Sequence, residues 1–303
     1  MFGILKRLFV EESYAIGWRR VDDGSPLPVG GDRPTYHLIR SGQTQWWADP
    51  FPFEHDGKFY IFVELLKRFR GTGSIAYFQV DENGAVADFR EVLVEPFHLS
   101  YPNVFQVSGT IYMIPESEKA NQIRLYRAKR FPLEWELDHV LASGRRFVDS
   151  SILFDERGLP SHLFSQDFET KELLVYKFDA DTMTLAPCEH NSGLSQERCG
   201  GNCLSLDGDM IRVLQDCSRM YGEKIIFSRI NGIDKIEIGQ AQEKPLAQLT
   251  CDDVLFDEGR NVFERLHTFN RSPHHEVIDV LEHRFVWTKP FRRIYEEVCY
   301  IIK

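Results

Sequence analysis

A short pattern returns five times along this chain, and that recurrence limits the fold more than any single residue does. It reads first as Ala48-Asp49-Pro50-Phe51-Pro52-Phe53, a turn at Asp56-Gly57, then an apolar run from Phe59 to a closing Glu64. It returns as Ser100-Tyr101-Pro102-Asn103, a turn at Ser108-Gly109, and a run ending Ile114-Pro115-Glu116. Further copies begin at Val148-Asp149-Ser150-Ser151, at Gly200-Gly201-Asn202-Cys203 and, in degenerate form, at Leu266-His267-Thr268-Phe269-Asn270. The anchors Asp49, Tyr101, Asp149, Gly200 and His267 lie 52, 48, 51 and 67 residues apart. A period near fifty, built from strand pairs joined by Asp-Gly or Ser-Gly turns, is that of propeller blades. One blade cannot bury both faces alone, so the copies must stack in a ring.

The repeat spans most of the 303 residues, so the spacing predicts an all-β chain forming a single five-bladed β-propeller with few short helices. Residues 1–35 read as a lead-in and 36–303 as the ring. Third strands are expected at 74–80, 123–128, 173–178 and 224–230, and a strand within 286–302 is expected to help close the circle.

A formal charge of −10 argues against nucleic acid as a partner. No apolar run approaches the roughly 20 residues that a membrane-spanning helix needs. Residues 1–10 set Lys6 and Arg7 among large apolar side chains. They suit either a peripheral membrane contact or a short helix packed on the ring. In the absence of an export signal the six cysteines read as reduced thiols of a cytoplasmic protein, which could still be membrane-associated. Cys199 and Cys203 have no second ligand pair to complete a zinc site, so no metal motif is present.

In a propeller the first residues of each innermost strand converge on the central channel. Asp49, Tyr101, Asp149, Arg198 (two before the Gly200 anchor) and His267 are thereby expected around one axial pocket. Asp49 and Asp149 share a register two blades apart. Inverting sugar chemistry needs two carboxylates separated by roughly 6.5–9.5 Å. Trp46 and Trp47 could offer a flat face to a sugar, with Trp47 taken as the contact. Glu64 and Glu116 end second strands in one register, and Glu116 is the stronger catalytic candidate. Arg198 presents a planar donor fork suited to phosphate, or else pairs with Asp216. Asp216 and Tyr221, in the stretch after Gln215, join the substrate-binding candidates. No cofactor is called for, although a cation could sit in the channel near His267.

The Ala48-Asp49-Pro50 and Val148-Asp149-Ser150 openings resemble the blade starts of five-bladed glycoside hydrolases of the arabinanase and β-xylosidase kind. A closer resemblance is to the N-terminal propeller of plant glucosamine inositolphosphorylceramide transferases and of bacterial surface-glycan proteins. It rests on Ala48-Asp49-Pro50-Phe51, Leu99-Ser100-Tyr101-Pro102 with Ile114-Pro115-Glu116, Arg198 with Gly200, and Gln215-Asp216-Cys217-Ser218 with Tyr221-Gly222. The hydrolases carry a catalytic acid glutamate opening the fourth blade, where this chain has Arg198 with Glu197 beside it. That departure implies a glycosyltransferase-like enzyme of surface-polysaccharide or glycolipid biosynthesis. A sugar or nucleotide-sugar donor and a glycan or glycolipid acceptor would be its partners. Asp49 would be the base, Asp149 would orient the site and Arg198 would hold the donor's phosphate. An inverting hydrolase using Glu116 or Glu197 as acid, and a non-catalytic glycan-binding propeller, are the alternatives.

Overall fold

The computed structural model describes residues 9–81, 83–259 and 263–292. The chain opens with β1 (Val10–Arg20) and β2 (Thr35–Arg40), and blade one follows as β3 (Gln45–His55), β4 (Lys58–Lys67), β5 (Gly73–Val80) and β6 (Val86–Leu93). Blade two is β7 (Ser100–Val107), β8 (Thr110–Glu116), β9 (Gln122–Arg130) and β10 (Glu134–Ser143). Blade three is β11 (Phe147–Phe154), β12 (Pro160–Asp167), β13 (Leu173–Asp179) and β14 (Thr184–Pro187). Blade four is β15 (Leu204–Leu206), β16 (Asp209–Asp216), β17 (Lys224–Asn231) and β18 (Gln242–Leu249). After β19 (Leu255–Phe256), blade five begins with β20 (Phe263–Arg271) and β21 (His275–Phe285). The helices among the described residues are short: 3-10 turns at Glu118–Ala120, Ile233–Lys235 and Cys251–Asp253, with a few helical residues near 290. None is long and apolar enough to cross a membrane.

Each of blades one to four is an antiparallel four-stranded meander, with the third strands at the places the repeat predicts. Blade five is composite. Its order is β19-β2-β1-β21-β20, so the chain's first strand lies between its last strand and its second. β1 pairs with β21 over eleven residues, from Val10 opposite Phe285 to Arg20 opposite His275. The expected lead-in, residues 1–35, therefore contributes β1 to the ring, and this pairing closes it. The physical reason is edge satisfaction: β21 alone would leave its outer row of N–H and C=O groups unpaired. Residues 10–20 supply a closing strand; of the 286–302 segment where one is expected, the described part, 286–292, forms a turn and a few helical residues. Residues 293–303, and residues 1–8 with their expected membrane contact, lie outside the described residues.

The blades pack through fully buried aromatic rings, among them Phe51, Phe62, Phe78, Phe164, Phe227 and Phe269. At the hub a chain of amides ties all five together. Asn270 donates to the Pro50 carbonyl at 2.9 Å, and its own Oδ1 accepts the Asn202 N–H at 2.8 Å. Asn202 and Asn103 form a reciprocal amide pair, and Asn103 also donates to the Ser150 carbonyl at 3.2 Å. Gly201 sits where this network is tightest, since a Cβ there would come within 1.9 Å of the Phe269 carbonyl oxygen. Replacing Asn202 by Leu would remove the side-chain partners of Asn103 Oδ1, Asn103 Nδ2 and the Ile152 N–H at the hub. We expect Asn202→Leu to cost on the order of 3 kcal/mol, read as a lower urea midpoint at unchanged slope.

Candidate active site

Three of the five repeated anchors share one backbone feature. Asp49, Tyr101 and Asp149 have φ of 50°, 47° and 49°, in the left-handed region that non-glycine residues enter only at a cost of about 1–2 kcal/mol each. Each falls in an interruption of strand register, between Ala48 and Phe51, Ser100 and Asn103, and Val148 and Ser151. A bulge of this kind frees one N–H from the ladder and re-aims the side chain. In every case a carboxylate takes the freed N–H. Asp49 N–H donates to Asp279 at 2.9 Å, Tyr101 N–H to Asp49 at 3.3 Å, and Asp149 N–H to Glu116 at 3.0 Å.

Two clusters result. In the first, Asp49 also accepts from the Thr268 hydroxyl at 3.1 Å and lies 3.5 Å from His267 Nε2. His267 Nδ1 bonds Asp279 at 2.6 Å, and the same Asp279 oxygen accepts the Thr268 N–H. Tyr14 stacks on the His267 ring at 4.6 Å and leans against Trp46 at 5.6 Å. Burial would lower the imidazole, but the Asp279 charge and hydrogen bond raise it to about 9. Burial likewise pushes Asp49 well above the usual carboxylate range, against the pull of the His267 cation.

In the second cluster, Asp149 accepts from Arg198 Nε at 2.6 Å and Gln215 Nε2 at 3.3 Å, while Arg198 lies 3.8 Å from Glu116. Burial, and then the Asp149 charge, hold the Glu116 carboxyl far above its ordinary value; Arg198 only partly offsets them. Tyr221 joins the clusters. The Arg198 guanidinium lies 5.2 Å over its ring, and the ring meets His267 edge-on at 5.5 Å. Being 44% exposed, Tyr221 stands at the mouth. Gly222 beneath it has φ of 61°, and a Cβ there would reach within 2.3 Å of His267 Cβ, so the Tyr221 loop can lie this close only with glycine.

The structure brings Asp49, Asp149, Glu116, Arg198, Tyr221 and His267 together. Three expected contacts fall elsewhere. Trp47 is a core residue, packed at 5.3 Å on both Phe78 and Phe89, and Trp46 is its neighbour at the site. The Tyr101 ring is fully buried against Phe51 with its hydroxyl on Ser151, so only its N–H serves the site. Asp216 pairs with Lys224 at 3.3 Å and caps the Ser218 N–H, holding the loop that carries Tyr221. Arg198 consequently pairs with Asp149 instead of Asp216. Glu64 is engaged by His98 at 3.1 Å, and Glu197 is half-buried. Sequence reasoning missed Tyr14, Gln215, Thr268 and Asp279. Asp279 carried a signal, being a lone acid in the apolar run Val277-Ile278-Asp279-Val280-Leu281.

Asp49, His267 and Asp279 place one ligand atom each within 4.8 Å of one another, the spot a channel cation would take. Both Asp279 oxygens are already occupied by N–H donors, one by His267 and Thr268, the other by Asp49. As arranged, the donor set forms an ion pair and not a cation cage.

These features define a five-bladed propeller with two axial carboxylate clusters, one holding a buried ion pair and the other a neutralising arginine. The chain belongs to the family described as glucosamine inositolphosphorylceramide transferase 1, N-terminal, whose model matches residues 38–247. It is 32% identical over 206 residues to the glucosamine inositolphosphorylceramide transferase 1 of Arabidopsis thaliana, and 33% identical over 202 residues to that of Oryza sativa subsp. japonica. These stretches cover 64% and 63% of this chain but 27% of each relative, so the chain spans about a quarter of the relatives' length. Among solved structures, a GH43 enzyme from Xanthomonas citri complexed with xylose is similar, with TM-score 0.56 and 13% identity over 78% of this chain and 88% of that one. A GH62 hydrolase in complex with xylotriose gives TM-score 0.55 at 13% identity, over 77% of this chain and 90% of that one. At such identity these two show the shared fold. Tyr14, His267 and Asp279 lie outside the matched residues.

The His267 shift has a consequence for stability. Its folded value, about 9, lies above the ordinary 6.5, so the ion pair stabilises fully below pH 6.5 and that contribution is lost as pH rises through 9. Unfolding free energy should therefore fall by on the order of 3 kcal/mol across this window. In His267→Gln the decline should flatten, as followed by urea titration at a series of pH values.

Proposed function

We propose that the chain is the sugar-handling module of a glycosyl-transferring enzyme that acts in surface-polysaccharide or glycolipid assembly on the cytoplasmic side of a membrane. The supporting observation is the pairing of two axial carboxyls of opposite assignment beneath an aromatic mouth. Asp49, with His267 charged beside it, is the base that accepts the proton of an acceptor hydroxyl. Glu116, its carboxyl raised by burial and by the Asp149 charge, is the group to donate to, or hydrogen-bond, a departing oxygen. Asp149 fixes Arg198 and is fixed by Gln215. Arg198 thereby holds positive charge at the place where a leaving phosphate would develop negative charge. Trp46, Tyr14 and Tyr221 frame the opening with ring surface suited to a sugar. In this reading the donor is a nucleotide sugar and the acceptor a glycan or glycolipid. Membership of a family named for such a transferase, and the fold shared with sugar hydrolases, support it.

The raised Glu116 carboxyl also favours a second reading, an inverting hydrolase with Glu116 as acid and Asp49 as base. Incubation with a donor panel and with a glycan panel separates the two, because free sugar released without a nucleotide donor means hydrolysis. In either reaction Asp49→Asn should lower kcat/KM by about 10³-fold or more with the fold intact. The wild-type profile should rise with pH as Asp49 loses its proton near about 7. A rate unchanged in Asp49→Asn would remove the base assignment.

A further inference from the structure

The three most exposed aromatic side chains among the described residues gather at one place. Phe285, Trp287 and Phe291 are 58%, 54% and 60% exposed; Phe9 stacks on Phe285 at 5.3 Å, and Trp287 meets Phe291 edge-on at 6.3 Å. Isolated exposed rings are ordinary, but a contiguous aromatic patch marks a contact surface.

Its position follows from strand direction. β3 enters the ring at Gln45, which faces Lys67, and carries Asp49 four residues on. β21 ends at Phe285, opposite Val10, at that same end. Gln43 ties the two together: its side-chain amide donates to the Phe285 carbonyl, its Oε1 accepts the Trp287 N–H at 3.3 Å, and its carbonyl accepts the Thr288 hydroxyl at 3.0 Å. The β16–β17 loop bearing Tyr221 also lies at this end, since Asp216 pairs with Lys224 there. The patch therefore shares the face onto which the axial site opens.

The charge beneath it is unlike that of the chain as a whole. Among the described residues, Arg68, Arg284, Lys289 and Arg292 gather about Glu11, which pairs with Arg68 and, at 2.9 Å, with Arg292. Arg284 donates to the Ser41 carbonyl and Lys289 to the Val10 carbonyl. Of the other acids on the flanking strands, Glu12 is held by Arg265, Glu264 by His283 and Glu282 by Arg40.

From this arrangement we infer that Phe285, Trp287 and Phe291, with the surrounding basic groups, seat the mouth face on an anionic lipid surface. Indole and phenyl rings partition into the headgroup region, and nearby arginines and lysines add attraction for negatively charged lipid. This orientation would present the axial site to a membrane-held acceptor, and to that extent it rests on the glycolipid reading given above.

The test is vesicle flotation of the full chain, which needs no turnover. Wild type should float with phosphatidylcholine vesicles containing about 30% phosphatidylglycerol, about tenfold more than with pure phosphatidylcholine, and less as salt rises. The triple variant Phe285→Ser/Trp287→Ser/Phe291→Ser should lose that binding about tenfold at an unchanged circular dichroism spectrum. Arg284→Gln/Lys289→Gln should weaken binding to the anionic vesicles alone. Absence of wild-type binding, or equal binding by the triple variant, would overturn the inference. So would a concentration-dependent dimer in sedimentation that the triple variant abolishes while vesicles are ignored, which would make the patch a self-interface. Asp49→Asn should float as wild type does, so a failed transfer assay and a failed flotation are separable results.

Discussion

Three backbone N–H groups, released from the inner strands by left-handed bulges and captured by buried carboxylates, hold the centre of this ring together. The bulge at Asp49 is secured by Asp279 of blade five, that at Tyr101 by Asp49 of blade one, and that at Asp149 by Glu116 of blade two. Each capture joins one blade to the one before it. The acids that make the fold close are therefore the same acids to which the proposed chemistry is assigned. A charged acceptor suits a lone N–H well, because such bonds are roughly twice as strong as neutral ones. The cost of placing so many acids in a dry hub is limited by two cations, His267 in one cluster and Arg198 in the other.

How much of this could be read beforehand depends on what the repeat encodes. It encodes register along a blade, so the bulged anchors and the third strands stood in the sequence as a period near fifty. It does not encode which of two neighbouring side chains faces the axis. Successive residues of a strand point to opposite faces, and a bulge inverts the parity locally. Trp47 and Asp216 show this directly. In each case the residue next door, Trp46 or Gln215, reaches the site, and the expected one packs into the core or caps a loop. Tyr101 illustrates a different limit: it keeps the anchor backbone, but its ring packs on Phe51 in the interior with its hydroxyl on Ser151.

Blade five was the least legible because its parts lie at both ends of the chain. β1 and β2 are outer strands without an anchor, and nothing in residues 10–40 repeats the pattern. Their place is fixed by what β21 lacks, a partner along its whole outer edge. Tyr14 reaches His267 only through that pairing, so it is absent from any local motif.

The composite fifth blade also orders events in time. β1 has only β2 beside it until β21 has been made, some 255 residues later, so the ring cannot shut before β21 emerges. Blades one to four are each local meanders that can form as they appear, leaving the seam between β1 and β21 as the final join. Since His267 and Asp279 ride on that late half, the ion pair beside Asp49 is assembled only when the circle is complete. An unfinished or partly opened ring thus leaves Asp49 without the cation that faces it in the closed one.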